Sequence, residues 1–145
     1  MSYNRILAAI DLSKESQQII SKAKETADTY GAKLYLISAI EPLLLVHGDI
    51  LSNYGAYRSI DNEAKEEVKE RLMAICKDIG ISSKNCFVPI GNPAYEIKQR
   101  AFKLKSDLIV IGTHGRKGIK KLLLGSTANS VLNGTKTDVQ VIRIA

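Results

Sequence analysis

Residues Asp107–Thr127 read DLIVIGTHGRKGIKKLLLGST. The segment Asp107 to Ile111 has strand length and is apolar after its first residue, and Gly112, Gly115 and Gly125 follow before Ser126 and Thr127 open a helical stretch. A strand without a polar face has to be covered on both sides, as happens in a parallel sheet packed between helices. Parallel neighbours need crossover connections, so helices must alternate with strands along the chain. The stretch therefore predicts an α/β fold with a glycine loop at the carboxyl end of a buried strand.

Outward from it the alternation holds. Arg5 to Ile10 (RILAAI) is a buried strand ending at Asp11, after which Ser13 offers an N-cap, with Glu15 and Ser16 in the first turn. The helix that follows runs to about Tyr30, carries Ile19, Ile20, Ala23 and Ala27 on one face, and is closed by Gly31. Lys33 to Ile40 is the second strand and Asn85 to Pro89 a short third. Between them Asn62 to Ile79 is helical, with Ala64, Val68, Leu72, Ile75 and Ile79 in one stripe before Gly80. Pro93 suits the first turn of a helix over Ala94 to Leu104, and a helix from Ser126 to about Leu132 precedes a last strand, Val139 to Ile144. Glu41 to Ser59 holds Pro42, two glycines and an apolar patch without a clean period. It reads as a surface loop with a short helical turn, or as a lid or partner surface. His47 lies within it and carries no assigned role.

The 145 residues fit one domain, 1–145, with a three-layer core and a sheet of five parallel strands. There is no apolar run long enough to span a membrane and no signal-peptide pattern at the start, so the chain is expected to be cytoplasmic. Cys76 and Cys86, the two cysteines, read as separate buried small hydrophobes rather than a disulfide or metal pair. His47 and His114 have no Cys or His at ligand spacing, which excludes an ordinary zinc site. The net charge of +6 raises the question of nucleic acid, but most lysines alternate with acids on helical faces, as solvated surfaces do. Arg116, Lys117, Lys120 and Lys121 form the one basic group without acids, and it lies inside the glycine loop.

A phosphate needs converging backbone N–H donors on a chain that can approach closely, which glycines permit. Gly112, Gly115 and Gly125 meet that need, and the N–H groups of Ser126, Thr127 and Ala128 open a helix whose dipole favours an anion. Hydroxyls of Ser126 and Thr127 and the charge of Arg116 add to the set, with Ser126 also able to cap the helix. In an open parallel sheet the crevice lies where strand order reverses, and Asp11 and the loop both end strands that flank it. Glycines also mark ordinary turns, so spacing alone leaves a structural reading open. Neither a Walker loop nor a dinucleotide fingerprint after the first strand occurs.

The pattern G-x2-G-x9-G-[ST] at Gly112, Gly115, Gly125 and Ser126, with AIDLS after the first strand and DLIVIGTHG at the fourth, resembles the universal stress protein family along the whole chain. The resemblance implies an adenine nucleotide alpha hydrolase-like sheet of order 3-2-1-4-5, a homodimer joined through Val139 to Ile144, and ATP, ADP or AMP in the crevice. It maps the adenine surroundings onto Ala9, Ile10, Asp11 and Ala39. Ribose and phosphates map onto Gly112, Gly115, Arg116, Gly125, Ser126 and Thr127. His114 between two loop glycines contacts a phosphate or bonds locally. Asp11 accepts a hydrogen bond from the nucleotide, helps hold Mg²⁺ near the phosphates, or caps the turn after it. Thr137 and Asp138 stand where the family often has Cys-Pro, and AIDLSKES resembles a branch that does not bind ATP, although that branch lacks the intact loop present here. The expected function is a nucleotide-responsive stress regulator. The alternatives are a weak ATPase or phosphotransferase, disfavoured by the lack of a second carboxylate or general base, and a dimeric interaction module with no nucleotide.

Overall fold

The computed structural model describes residues 2–42, 54–113 and 124–144, apart from the side chains of 54–59. Strands and helices alternate: β1 (Arg5–Ala9), α1 (Ser16–Tyr30), β2 (Lys33–Ile37), α2 (Tyr54–Ile79), β3 (Cys86–Phe87), α3 (Pro93–Leu104), β4 (Leu108–Gly112), α4 (Ser126–Gly134) and β5 (Asp138–Ile142). The five strands form one sheet of order β3-β2-β1-β4-β5, as expected, with every neighbouring pair parallel.

Strand parity divides the core into two layers. Ile6, Ala8, Leu34, Leu36, Leu108 and Val110 face α1 and α2, where Ile19, Ile20, Ala23, Ala27, Leu72 and Cys76 are buried with them. Leu7, Ala9, Tyr35, Ile37, Ile109 and Ile111 face α3 and α4, through Ala94, Ile97, Ala101, Ala128 and Val131. Because successive side chains point to opposite faces, an uninterrupted apolar strand supplies both layers at once.

Helix ends follow local chemistry. Gly31 takes φ 65, and the turn closes with Ala32 N donating to Ala27 O at 2.8 Å. Gly80 at φ 76 ends α2 in the same way, with Ile81 N on Cys76 O at 2.9 Å. Asn92 caps α3 by accepting from Tyr95 N at 3.0 Å, with Pro93 in the first turn. At the amino edge of the sheet, the Asp107 carboxylate accepts from Asn4 N (2.8 Å) and Arg5 N (3.0 Å). There too, Tyr3 donates its hydroxyl to Asp138 Oδ2 at 3.0 Å, a bond that raises the phenol's pKa.

Several boundaries move. α2 begins at Tyr54 rather than Asn62, so the last part of the expected loop Glu41 to Ser59 is helical, while 43–53 lie outside the described residues. β2 ends at Ile37, though pairing resumes at a bridge between Ile40 and Ile90. β5 stops at Ile142, and Ile144 turns into the core beside α1 instead of extending the edge.

β3 has two residues, too few for its ladder alone to hold it. Each is anchored to a different layer. Phe87 stacks on Tyr35, ring centroids 6.3 Å apart, and carries the Arg100 guanidinium 4.1 Å from its ring centre. Cys86 is disulfide-bonded to Cys76 of α2. This corrects the expectation of two separate thiols: parity turns Cys86 toward the layer in which α2 packs, and Cys76 lies one turn beyond the buried Leu72. Protein handled without reductant is expected to take up no iodoacetamide when unfolded and two equivalents after dithiothreitol, measured by intact mass. Closing the short loop between the two residues should contribute roughly 2–3 kcal/mol, lost in Cys86→Ser. Labelling of both thiols before reduction would contradict the bridge.

Candidate functional site

β1 is flanked by β2 on one side and β4 on the other. The chain leaves β1 toward α1 in one layer and leaves β4 toward α4 in the opposite layer. The carboxyl ends of β1 and β4 thus border a crevice at the point where strand order reverses, the usual ligand position in such sheets. Ala9 pairs with Ile37, and Ile10 N donates to Ile37 O at 3.0 Å. Ala39, half-buried, follows on the same edge, just before Ile40 N donates to Pro89 O at 2.8 Å. Ala9, Ile10, Asp11, Ala39 and Gly112 are therefore gathered at one sheet edge, with Ala9 and Ile10 both buried.

The turn after β1 differs from expectation. α1 starts at Ser16, its N-cap is Glu15 without a side-chain cap, and Ser13 does not cap it. Asp11 organises the turn instead, its Oδ1 accepting from Ser13 N at 3.0 Å and from the Ser16 hydroxyl at 3.1 Å. The capping role considered for Asp11 is thus observed. Between them Leu12 adopts φ 62, a left-handed conformation that costs a non-glycine residue roughly 1–2 kcal/mol. Two contacts hold it there. Its side chain is buried in the core beside α1 and α2, and its carbonyl accepts from Arg71 Nη2 of α2 at 2.9 Å. Arg71 was not singled out from sequence, where it reads as one more charge on a solvated face.

The base of the glycine loop is stitched by Thr113. Its N–H donates to Ile142 O of β5 (2.9 Å), its carbonyl accepts from Gly125 N (2.6 Å), and its hydroxyl oxygen accepts from Ile144 N (3.1 Å). The chain thus returns at Gly125 to the end of β4. Residues 114–123, with the expected site residues His114, Gly115 and Arg116, lie outside the described residues. Thr113 was also missed, since a threonine beside glycines gives no signal of which backbone it joins.

Gly125 is the N-cap of α4 at φ −63, ψ 163, with no side-chain cap bond among the described residues. Ser126 is the first helical residue, so the capping role considered for its hydroxyl is not observed; the hydroxyl is exposed, and Thr127 is half-buried. The first turn presents backbone N–H groups and the positive end of the helix dipole, with no side-chain cap bond among the described residues. Gly125 occupies backbone space open to any residue, so a need for glycine here concerns closeness of approach, not φ. Gly112 is different: a Cβ built on it would lie 2.9 Å from Ile19 Cδ1 and 3.1 Å from Ile144 Cγ1, so its missing side chain serves packing between β4 and α1. Among the described residues no three His, Cys, Asp or Glu side chains gather to hold a metal.

This fold and site define a class: an open, doubly wound α/β domain with a glycine-led helix N-terminus at its switch point. A sequence model of the universal stress protein family matches residues 2–143, and the chain belongs to that family. Universal stress protein A homolog 2 of Coxiella burnetii is 40% identical over 146 residues, spanning 99% of this chain and 97% of its own. The solved structure of universal stress protein UspA from Lactobacillus plantarum shares the fold with a TM-score of 0.82 and 21% identity, covering 99% of each chain. A universal stress protein in complex with cAMP matches with a TM-score of 0.63 and 23% identity over 100% of both chains.

The Gly112 geometry gives a stability prediction. Gly112→Ala is expected to lose about 1–3 kcal/mol by urea unfolding, the cost of forcing Ile19 and Ile144 aside. Unchanged stability would show that the space is not needed for packing.

Proposed function

We propose that this chain is a cytoplasmic stress-response regulator that holds ATP, or the related ADP or AMP, in the crevice between the ends of β1 and β4. The observation that carries the reading is the α4 N-terminus, led by a glycine without a side-chain cap bond among the described residues and drawn to the end of β4 by the bond from Gly125 N to Thr113 O. An anion there meets aligned N–H donors and a favourable dipole. A family relative in complex with cAMP supports an adenine nucleotide as the ligand class.

In this reading the phosphates lie against Gly115, Arg116, Gly125, Ser126 and Thr127, with His114 beside them. Gly112 forms the floor, and the base sits by Ala9, Ile10 and Ala39. Asp11 acts first as the anchor of its own turn, and Mg²⁺ would enter on the phosphates beside it. The described residues at the crevice supply donors and walls, with Asp11 as their carboxylate, and in this reading hydrolysis is at most weak. A second copy would add to the sheet through the open edge of β5, which takes up the expected Val139 to Ile144 segment as far as Ile142 and where Val139, Val141 and Ile142 are only partly buried. One observation favours a second reading, a dimeric interaction module with no nucleotide: the Asp11 carboxylate is turned onto Ser13 and Ser16.

A ligand that binds only the folded state adds about 2.7 kcal/mol of stability at a hundredfold excess over its dissociation constant. The melting temperature is therefore expected to rise with ATP, ADP or AMP, and less with GTP. Gly125→Val, whose own melting point is its reference, is expected to lose that rise because a branched side chain stands where backbone should meet phosphate. No shift of the wild-type protein with any nucleotide would leave the interaction module as the reading, and an undiminished shift in the variant would refute the placement of the phosphates.

A further inference from the structure

We propose that Arg71 is a positioning residue of the crevice: from α2 it clamps the Leu12 carbonyl and so sets the turn that carries Asp11. The proposal rests on the nucleotide reading above. The turn between β1 and α1 does not hold itself by helical bonding alone. Ser16 N donates to Ser13 O, and the Leu12 carbonyl instead accepts the Arg71 guanidinium at 2.9 Å, across 59 positions of sequence. Leu12 is also left-handed at φ 62, a conformation that persists in a leucine only where the surroundings enforce it. Burial of the Leu12 side chain fixes one side of the residue, and Arg71 fixes the other.

Arg71 is well placed to do this. Arg71 is itself exposed, but the next residue, Leu72, is fully buried, and Cys76, one turn on, is tied to β3, so the helix that carries the arginine is fixed against the core. The turn it grips is the one whose Asp11 bonds Ser13 N and Ser16 Oγ. If Leu12 relaxes toward ordinary φ, Ser13 N and Ser16 move relative to Asp11, and the crevice wall between Ile10 and α1 changes shape without losing a residue that touches ligand. A guanidinium bonding a carbonyl is a charge-assisted contact, stronger than a neutral one. A lysine keeps the charge but not the planar fork.

The test uses the full chain in four forms: wild type, Arg71→Ala, Arg71→Lys and, as a charge-matched control on the same helix, Lys69→Ala. ATP affinity is measured by calorimetry, and amide hydrogen exchange over residues 11–18 is followed without nucleotide. Arg71→Ala is expected to bind ATP roughly tenfold more weakly and to exchange faster at Ser13, Arg71→Lys to recover much of both, and Lys69→Ala to match wild type. Unchanged exchange at Ser13 in Arg71→Ala overturns the clamp whatever happens to affinity. Wild-type ATP affinity in that variant, or an equal loss in Lys69→Ala, overturns the coupling to ligand. Failure of the wild-type protein to bind nucleotide removes the underlying reading, and the exchange measurement then still reports on the clamp by itself.

Discussion

Ile6, Ala8, Leu108 and Val110 meet α1 and α2, while Leu7, Ala9, Ile109 and Ile111 meet α3 and α4. Everything else in the molecule depends on this double coverage of β1 and β4. A strand buried on both faces lies inside the sheet, so β1 and β4, with β2, are internal and β3 and β5 form the edges. The helices that follow the two central strands then have to leave toward opposite layers, because each layer needs covering. Two chains departing in opposite directions from adjacent strands leave a crevice between them, and its position is a consequence of core packing, with no contribution required from a ligand.

Two glycines at the ends of the same motif illustrate how packing and site share residues. At Gly112 the space for a side chain is already filled by Ile19 and Ile144, whereas Gly125 has ordinary extended backbone and sits as the N-cap of a helix without a side-chain cap bond among the described residues. A pattern of glycines therefore mixes two physical causes that the spacing alone cannot separate. Thr113 joins them: it bonds Gly125 across the base of the loop and Ile142 and Ile144 beside it.

What the sequence made legible was what local chemistry decides. Gly31 and Gly80 end their helices because left-handed closure is nearly free to glycine, and the apolar runs of β1, β2 and β4 announce burial without further context. The features it hid are those set by distant contacts. Ser13 looked like an N-cap, but Leu12 is left-handed, buried and bonded through its carbonyl to Arg71, and Asp11 takes over the turn. The start of α2 at Tyr54 was hidden by Gly55 and by a stretch whose apolar residues follow no period. The pairing of Cys76 with Cys86 depends on which face of a two-residue strand looks toward α2, and short strands give periodicity too little length to read.

The arrangement also bears on what the proposed nucleotide site could do. Catalysis requires groups that bind the transition state better than the ground state, such as a base or an acid poised at the reacting atom. The described rim of the crevice consists of backbone N–H groups, small apolar side chains and hydroxyls, and its one carboxylate is engaged in its own turn. Such groups offer a phosphate hydrogen bonds and a favourable dipole. They also connect to the edge of the sheet, since Thr113 bonds Gly125 on one side and the Ile142 carbonyl of β5 on the other. In the proposed function a ligand that fixes Gly125 acts on Thr113, and through it on the strand offered to a second copy. Any such effect is reciprocal, because a coupling free energy between two binding events has to be the same from either end. In the proposed function that link, from ligand to sheet edge, is what the site supplies.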